Sequence, residues 1–266
     1  MMHYVYLFGA LIAREITMTL NYRWWLTMMQ ISNLIAPAIS LLVWRGAIAL
    51  GANPPVSGTF LTTYLILVSV VGLLTSSWTA NFLATSIRLG GVSVWLIRPC
   101  STHLAAMANN VAEKLVKLSV MIPLATIFGV TFRDELRLPA DAVRWLLFVL
   151  SILLGAGISF SLDVLIGSLA FWFEDISAID RARNLLARTL SGAVVPLALF
   201  PAALTGFLGL QPFRYLVSFP LEVLIGDPAG GLLLGFVNQT AWFGAFLAGA
   251  AVVWRTGLRR YQGAGA

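Results

Sequence analysis

The sequence predicts an all-α polytopic membrane protein: an N-terminal interfacial helix, six transmembrane helices, and a re-entrant outer hairpin between the fifth and sixth. Three observations predict it. Of 266 residues, 59% are hydrophobic and only 11% are charged, whereas a soluble domain carries about 25% charged residues. The mean hydropathy is +0.88. The apolar residues also gather into runs of about 20, the length of helix that crosses a hydrocarbon core. So few charges cannot cover the surface of a soluble protein of this size. A cytosolic enzyme, a disordered chain and a nucleic-acid-binding domain are thereby excluded.

Residues 1–22 form the first element, with Tyr4, Leu7, Phe8, Leu11, Ile12 and Ile16 on one broad face and His3, Ala10, Arg14 and Thr17 opposite. That pattern suits a helix lying in the membrane interface; an ordinary N-terminal extension of the first span is the alternative. Glu15 falls on its apolar side and needs a partner. The stretch has no basic start, and Arg14-Glu15 interrupt it, so it reads as retained rather than as a cleaved signal.

The spans are expected at 24–45, 60–78, 111–132, 145–172, 189–210 and 232–254. Arg23-Trp24-Trp25 and Trp44-Arg45 bracket the first, which Pro37 should kink. The loop GANPPVSG after it is turn chemistry. Between the second and third spans, NFLATSIRLGGVSVWLIRPCSTH is too polar and glycine-rich to cross a bilayer. RDELRLPADAVR is an outer loop of mixed charge, and the long fourth run must tilt or protrude. EDISAIDRARNLLAR reads as a solvated, self-paired loop, Glu174, Asp175 and Asp180 against Arg181, Arg183 and Arg188; a second contact for a partner protein is the alternative. The fifth span carries Pro196 and Pro201, and its small residues Ser191, Gly192, Ala193, Ala202 and Ala203 suit close helix contacts. Residues 211–229 carry Pro212, Pro220 and Pro228, and the pieces between them are too short to cross. A hairpin dipping into the outer leaflet satisfies that pattern if it packs against protein. Phe213 and Glu222 belong to it.

With the N-terminus inside, twelve of the seventeen Lys and Arg residues fall on the inner side; Arg45, Arg133, Arg137, Arg144 and Arg214 fall outside. By the positive-inside rule both termini are then cytoplasmic. The formal net charge of +6 reads as loop anchoring near anionic lipid. Cys100 is the only cysteine, so no internal disulfide forms, and two histidines without a Cys/His cluster make no zinc site.

Catalytic motifs are missing. Neither lysine, Lys114 or Lys117, follows a glycine, so there is no Walker A loop to wrap phosphate. HExxH and GxSxG are absent as well.

The informative segment is IRLGGVSVWLIRP, residues 87–99. Gly90 and Gly91 permit a sharp turn. Val92, Val94, Trp95, Leu96 and Ile97 follow as an apolar surface flanked by Arg88 and Arg98, and Pro99 stops it. A short, apolar, basic-flanked helix is a docking knob, with Trp and Arg as typical anchors; a helix resting on lipid headgroups is the alternative.

Together with "FWFED" after the fourth span and "PFRYLVSFPLEVLIG" before the last, this segment resembles the type-2 ATP-binding-cassette (ABC) permease family over nearly the whole chain. The likeness is to its small six-helix subunits, which often work beside a second permease and a separate ATPase. The resemblance implies that residues 90–98 form a coupling helix entering a cleft on an ATPase subunit. It implies that the N-terminal helix is a connecting helix and that 211–229 closes the exit. It also implies export from a bacterial cytoplasmic membrane, with ATP and Mg held by the ATPase and no cofactor in this chain. The substrate does not carry over.

Asp163 is the most costly residue to bury, at about 2.5–3.5 kcal/mol for a charge at mid-membrane. Three readings stand: an ion pair with Lys117 at comparable depth, solvation by a water-filled inner cavity, or contact with a cationic substrate. Of the nine tryptophans, Trp24, Trp25, Trp44, Trp78, Trp145, Trp172 and Trp254 sit at span ends as an interfacial belt, and Trp242 reads as packing. Two rival functions remain. An ATPase-independent secondary transporter or channel would need Asp163 as its coupling-ion site. A scaffold without transport leaves the broken hairpin unexplained.

Overall fold

A computed structural model describes residues 2–96, 101–226, 228 and 230–261, the side chains of residues 2–5, 23, 95, 96 and 202 excepted. Among the described residues the architecture is all-helical. Helix α1 is Met2–Leu20, α2 Arg23–Ala49, α3 Gly58–Thr75, α4 Thr79–Arg88, α5 Gly91–Leu96 and α6 Thr102–Thr131. Helix α7 is Ala142–Ser168, α8 Ser177–Leu190, α9 Thr205–Leu210, α10 Ser218–Ile225 and α11 Leu232–Leu258. Among the described residues five stretches are long and apolar enough to cross a membrane: Trp24–Ala49, Gly58–Arg88, Thr102–Thr131, Ala142–Phe171 and Leu232–Leu258.

Side-chain caps fix where several of them begin. Ser57 Oγ accepts from Phe60 N at 3.1 Å, Ser101 Oγ from Leu104 N at 3.1 Å, and an Asp141 carboxylate oxygen from Val143 N at 2.9 Å. The Ser101 cap starts α6 nine residues before the expected Val111, because the polar turns of 102–110 are held by neighbouring protein rather than by lipid. Pro37 is accommodated inside α2.

The second span differs from expectation. It stops at Thr75, runs extended through Ser76, and resumes as α4, a stretch read from sequence as too polar for a span. Thr79, Ala80, Leu83, Ala84 and Ile87 of α4 are buried, so its amphipathic pattern serves packing on α7. Gly167 permits the approach: a Cβ there would stand 2.9 Å from the Ala80 carbonyl oxygen.

The fifth span is not a continuous helix. Residues 174–188, read as a loop, supply most of α8 instead, which also takes the first two residues of the expected span, and the chain after Leu190 passes through bends and the short 3₁₀ turns Leu197–Leu199 and Ala202–Leu204 before α9. Pro196 and Pro201 remove two backbone donors, and Gly192 sits at φ +83°. The freed backbone groups find protein partners. Tyr64 Oη donates to Gly192 O at 2.9 Å, Ser218 N to Ser191 O at 3.0 Å, and Gln211 Nε2 to Leu190 O at 2.7 Å. The small residues at 191–192 thus serve contact with α3 and α10, not the helix-to-helix packing expected of them.

Helix α7, with the 3₁₀ turn Leu169–Phe171 that follows it, runs parallel to α11 in nearly constant register: Phe243 packs over Gly157, Leu165 over Gly249 and Phe171 over Gly257. This register defines two ends of the bundle. At one lie α5, the start of α6 and the end of α11. At the other lie the proline-rich residues 211–226. Helix α1 packs along α6, and Glu15 finds its partner there: Asn109 Nδ2 donates to Glu15 Oε2 at 2.8 Å.

The proline-rich segment forms the centre of the largest apolar cluster. Residues Pro212–Leu216 make a 3₁₀ turn and α10 follows, with Tyr215, Phe219, Leu221 and Leu224 fully enclosed together with Tyr64 and Val71 of α3. Gly155 lets the hairpin backbone touch α7, the Tyr215 carbonyl oxygen lying 2.8 Å from where a Cβ would stand.

Candidate functional site

The glycine pair turns the chain as expected. Gly90 adopts φ +74°, and α5 starts at Gly91. Val92, expected on the outward apolar surface, does not face outward. It is fully buried in a cluster with Leu83, Ile87, Val164, Ala250 and Trp254. Ser93 Oγ and Tyr261 Oη lie 3.1 Å apart and tie α5 to the segment after α11. Val94 is exposed, and so is Leu89 at 76%, a residue the sequence reading left out of the surface. Arg88 is exposed, and its Nη1 donates to Glu174 O at 3.2 Å. The Trp95 and Leu96 side chains, and Ile97 and Arg98 altogether, lie outside the described residues. The described part is therefore a one-and-a-half-turn helix seated on α4, α7 and α11 by Val92, with Leu89 and Val94 presented outward.

A polar network lies behind this seat. The pairing expected of Asp163 and Lys117 is not the one observed. Asp163 is fully buried, and its Oδ1 pairs with Arg183 Nη2 of α8, while Oδ2 accepts from Ala80 N at 3.3 Å. Asp163 thus caps α4 from a neighbouring helix, opposite the positive end of the helix dipole. Arg183 reaches it because α8 folds back beside α4 and α7 rather than remaining a solvated loop. Its Nη2 also lies 3.1 Å from Asp180, which in turn accepts from Asn81 Nδ2 at 2.9 Å and Asn184 Nδ2 at 3.1 Å. Lys117 pairs with Glu113 one turn away and lies 5.6 Å from the Trp78 ring centroid. On the same side, Lys114 Nζ donates to Asn110 Oδ1 at 2.6 Å, and Asn110 Nδ2 to Ser77 Oγ at 3.3 Å. The break between α3 and α4 is therefore gripped by α6, α7 and α8 together.

At the loop entering α8, the Ser177 hydroxyl and then its backbone N–H hold the Asp175 carboxyl below the usual carboxylate range. The belt assignment fits Trp24 and Trp25, 73% and 64% exposed, but not Trp254, which is 9% exposed and stacked edge-on by His103. Trp242 packs on Phe246 and donates Nε1 to Leu210 O at 2.7 Å, anchoring the end of α9.

At the opposite end, a cavity of about 290 Å³ opens between the start of α3, residues 197–209 and the hairpin. The 2.6 Å ion pair of Arg214 with Glu222 lies in its wall, with Ser218 Oγ donating to Glu222 Oε1 at 2.7 Å. Pro212 opens the 3₁₀ turn, and Gln211 Oε1 accepts from Phe213 N at 2.7 Å. Pro220 is buried in the first turn of α10, which Gly226 ends at φ +117°. Pro228 O accepts from Gly231 N at 2.9 Å before α11 begins. No group of three or more His, Cys, Asp and Glu residues that could hold a metal occurs among the described residues.

The family model described as "ABC-2 family transporter protein" matches residues 57–265. The chain belongs to the ABC-2 transporter family. The match takes in α3 to α11, hence both the α5 seat and the hairpin. No curated protein matches the chain. As an ABC-2 family member it is a multi-pass membrane protein of transport. Permeases of this family are generally non-catalytic membrane subunits that work with ATPase subunits.

Proposed function

We propose that the chain is the permease subunit of an ATP-driven exporter in a bacterial cytoplasmic membrane, with both termini cytoplasmic. A second permease subunit, in a heterodimer rather than a homodimer, completes the pathway. Separate ATPase subunits hold ATP and Mg and engage Arg88 to Arg98. The observation that carries this reading is the mounting of α5. It is seated by Val92 on the cluster that joins α4, α7 and α11, while α4 is a short separate helix set off from α3 by the break at 76–78. A push on α5 is therefore delivered to a rigid lever whose upper end is held by Asp163. The hairpin and its Arg214–Glu222 pair stand at the far end as the exit gate. Closure of the ATPases would shift the lever against the permease interface by rigid-body movement. The engagement of Asp163 by Arg183 and Ala80 N supports a structural role for this carboxylate over the coupling-ion role that the rival secondary transporter needs.

Co-purification tests the reading. In a gentle detergent the chain should retain a soluble ATPase in fixed stoichiometry. Leu89→Asp combined with Val94→Asp, both at exposed positions, should reduce retention at least about tenfold, equivalent to about 1.4 kcal/mol. Equal retention by the double variant, or no ATPase on the unaltered chain, overturns it.

A further inference from the structure

We propose that the groove between α6, α7 and α11, at the α5 end of the bundle, binds one anionic phospholipid, with its phosphate on Arg255 and an acyl chain in the slot. The groove is a cavity of about 290 Å³ walled by Phe160, Val164, Leu247, Ala250 and Ala251. Leu247 is 52% exposed, so the slot opens to the bundle's outer face. An acyl chain matches these apolar walls; His103 and Trp254 complete the lining with their rings edge-on to each other, and one hydroxyl lies among them.

That hydroxyl is the second observation. Ser161 is 2% exposed, lies in the groove wall, and its Oγ has no hydrogen-bond partner among the described residues. An orphaned buried hydroxyl calls for a partner, and an ester carbonyl of a glycerolipid supplies an acceptor. The third observation is charge. Arg255 stands at the other end of the groove, exposed and without an ion-pair partner among the described residues. Arg259 and Arg260 follow it. The register of α7 with α11 places Ser161 level with Leu247, so eight residues, about 12 Å, separate that level from Arg255. An arginine side chain reaching upward and a glycerol backbone together span this gap. A zwitterionic headgroup would bring its own cation against Arg255 and the two arginines beyond it. An anionic headgroup meets them without that conflict, and a guanidinium–phosphate contact is charge-assisted.

The site has a consequence for α5. Val164, Ala250 and Trp254 line the groove on one side and seat Val92 on the other. A lipid in the groove therefore buttresses the mounting of α5. The binding itself does not depend on any ATPase.

Native mass spectrometry of the purified full chain, titrated with phosphatidylglycerol or phosphatidylcholine, tests this. One phosphatidylglycerol should persist per chain under conditions that strip phosphatidylcholine. Arg255→Gln should weaken its binding about tenfold, about 1.4 kcal/mol, while Arg259→Gln should change it less than about twofold. Ala251→Trp, which fills the slot at an exposed position, should abolish binding with the elution profile unchanged. Equal retention of both lipids overturns the proposal, because the groove is then indifferent to charge. Equal losses in Arg255→Gln and Arg259→Gln also overturn it, leaving a diffuse basic surface. If Ala251→Trp elutes abnormally, Ala251→Phe replaces it, and binding undiminished in that variant overturns the acyl-slot assignment.

Discussion

Asp163→Ala should destabilise the chain by about 3–5 kcal/mol, the range for removing one partner of a buried ion pair. Two losses combine. Arg183, whose side chain is only 12% exposed, keeps its charge with Asp180 as its remaining carboxylate. Ala80 N, at the start of α4, loses the carboxylate that caps it. Asp180 is itself committed to Asn81 and Asn184, so it cannot swing fully toward the orphaned guanidinium. Adding Arg183→Met should recover part of the loss, because a pair replaced by apolar side chains no longer leaves a buried charge uncompensated. The thermodynamic cycle should give a coupling of about 1–3 kcal/mol, the range for groups sharing one network. Thermal unfolding in detergent, followed by tryptophan fluorescence, reads all three variants. Strictly additive losses would show that the two side chains act independently.

Phe219→Ala should cost a similar amount, about 3–5 kcal/mol, as for large aromatic truncations in a packed core. The side chain is fully buried, with Tyr215 and Phe236 edge-on at ring-centroid distances of 5.4 and 5.3 Å. It also fills the space that Gly235 leaves on α11; a Cβ there would overlap its ring at 2.0 Å. Deleting the ring therefore opens a cavity between α10 and the first turn of α11, where backbone constraints limit collapse. The same unfolding assay checks it, and Phe213→Ala, half-buried at the edge of this cluster, should cost less. Equal losses at the two positions would mean that the hairpin lies on the bundle rather than inside it.

Much of the fold could be read from the residues because hydropathy and turn chemistry are local. Gly90-Gly91 announced the turn into α5, and the proline spacing announced that 211–229 could not cross as one helix. Lipid-facing runs such as that of α11 were readable for the same reason. What escaped depends on contacts between distant residues. Arg183 lies twenty positions from Asp163 and within a run whose mixed charges look solvated; only the folding of α8 against α4 removes it from water. Depth alone makes Lys117 one candidate partner for Asp163, but depth says nothing of azimuth, and Glu113 at i−4 is nearer on the same helix. The polar start of α6 was set aside because the sequence does not show that α1 covers it through Asn109 and Glu15. Val92 could not be told from the exposed Val94, because six residues are too few for a periodicity to separate the inner from the outer face.

The claim on which the functional account rests is that the outward face of α5 is held by an ATPase. A photo-crosslinking amino acid placed at Val94, with a control at Leu233 on the hairpin end, 80% exposed, tests it most directly in whole cells. The account predicts a covalent adduct from position 94, and not from 233, to a soluble protein carrying a Walker A motif. An adduct to such a protein from 233, or none from 94 when the variant is inserted at normal levels, would contradict it.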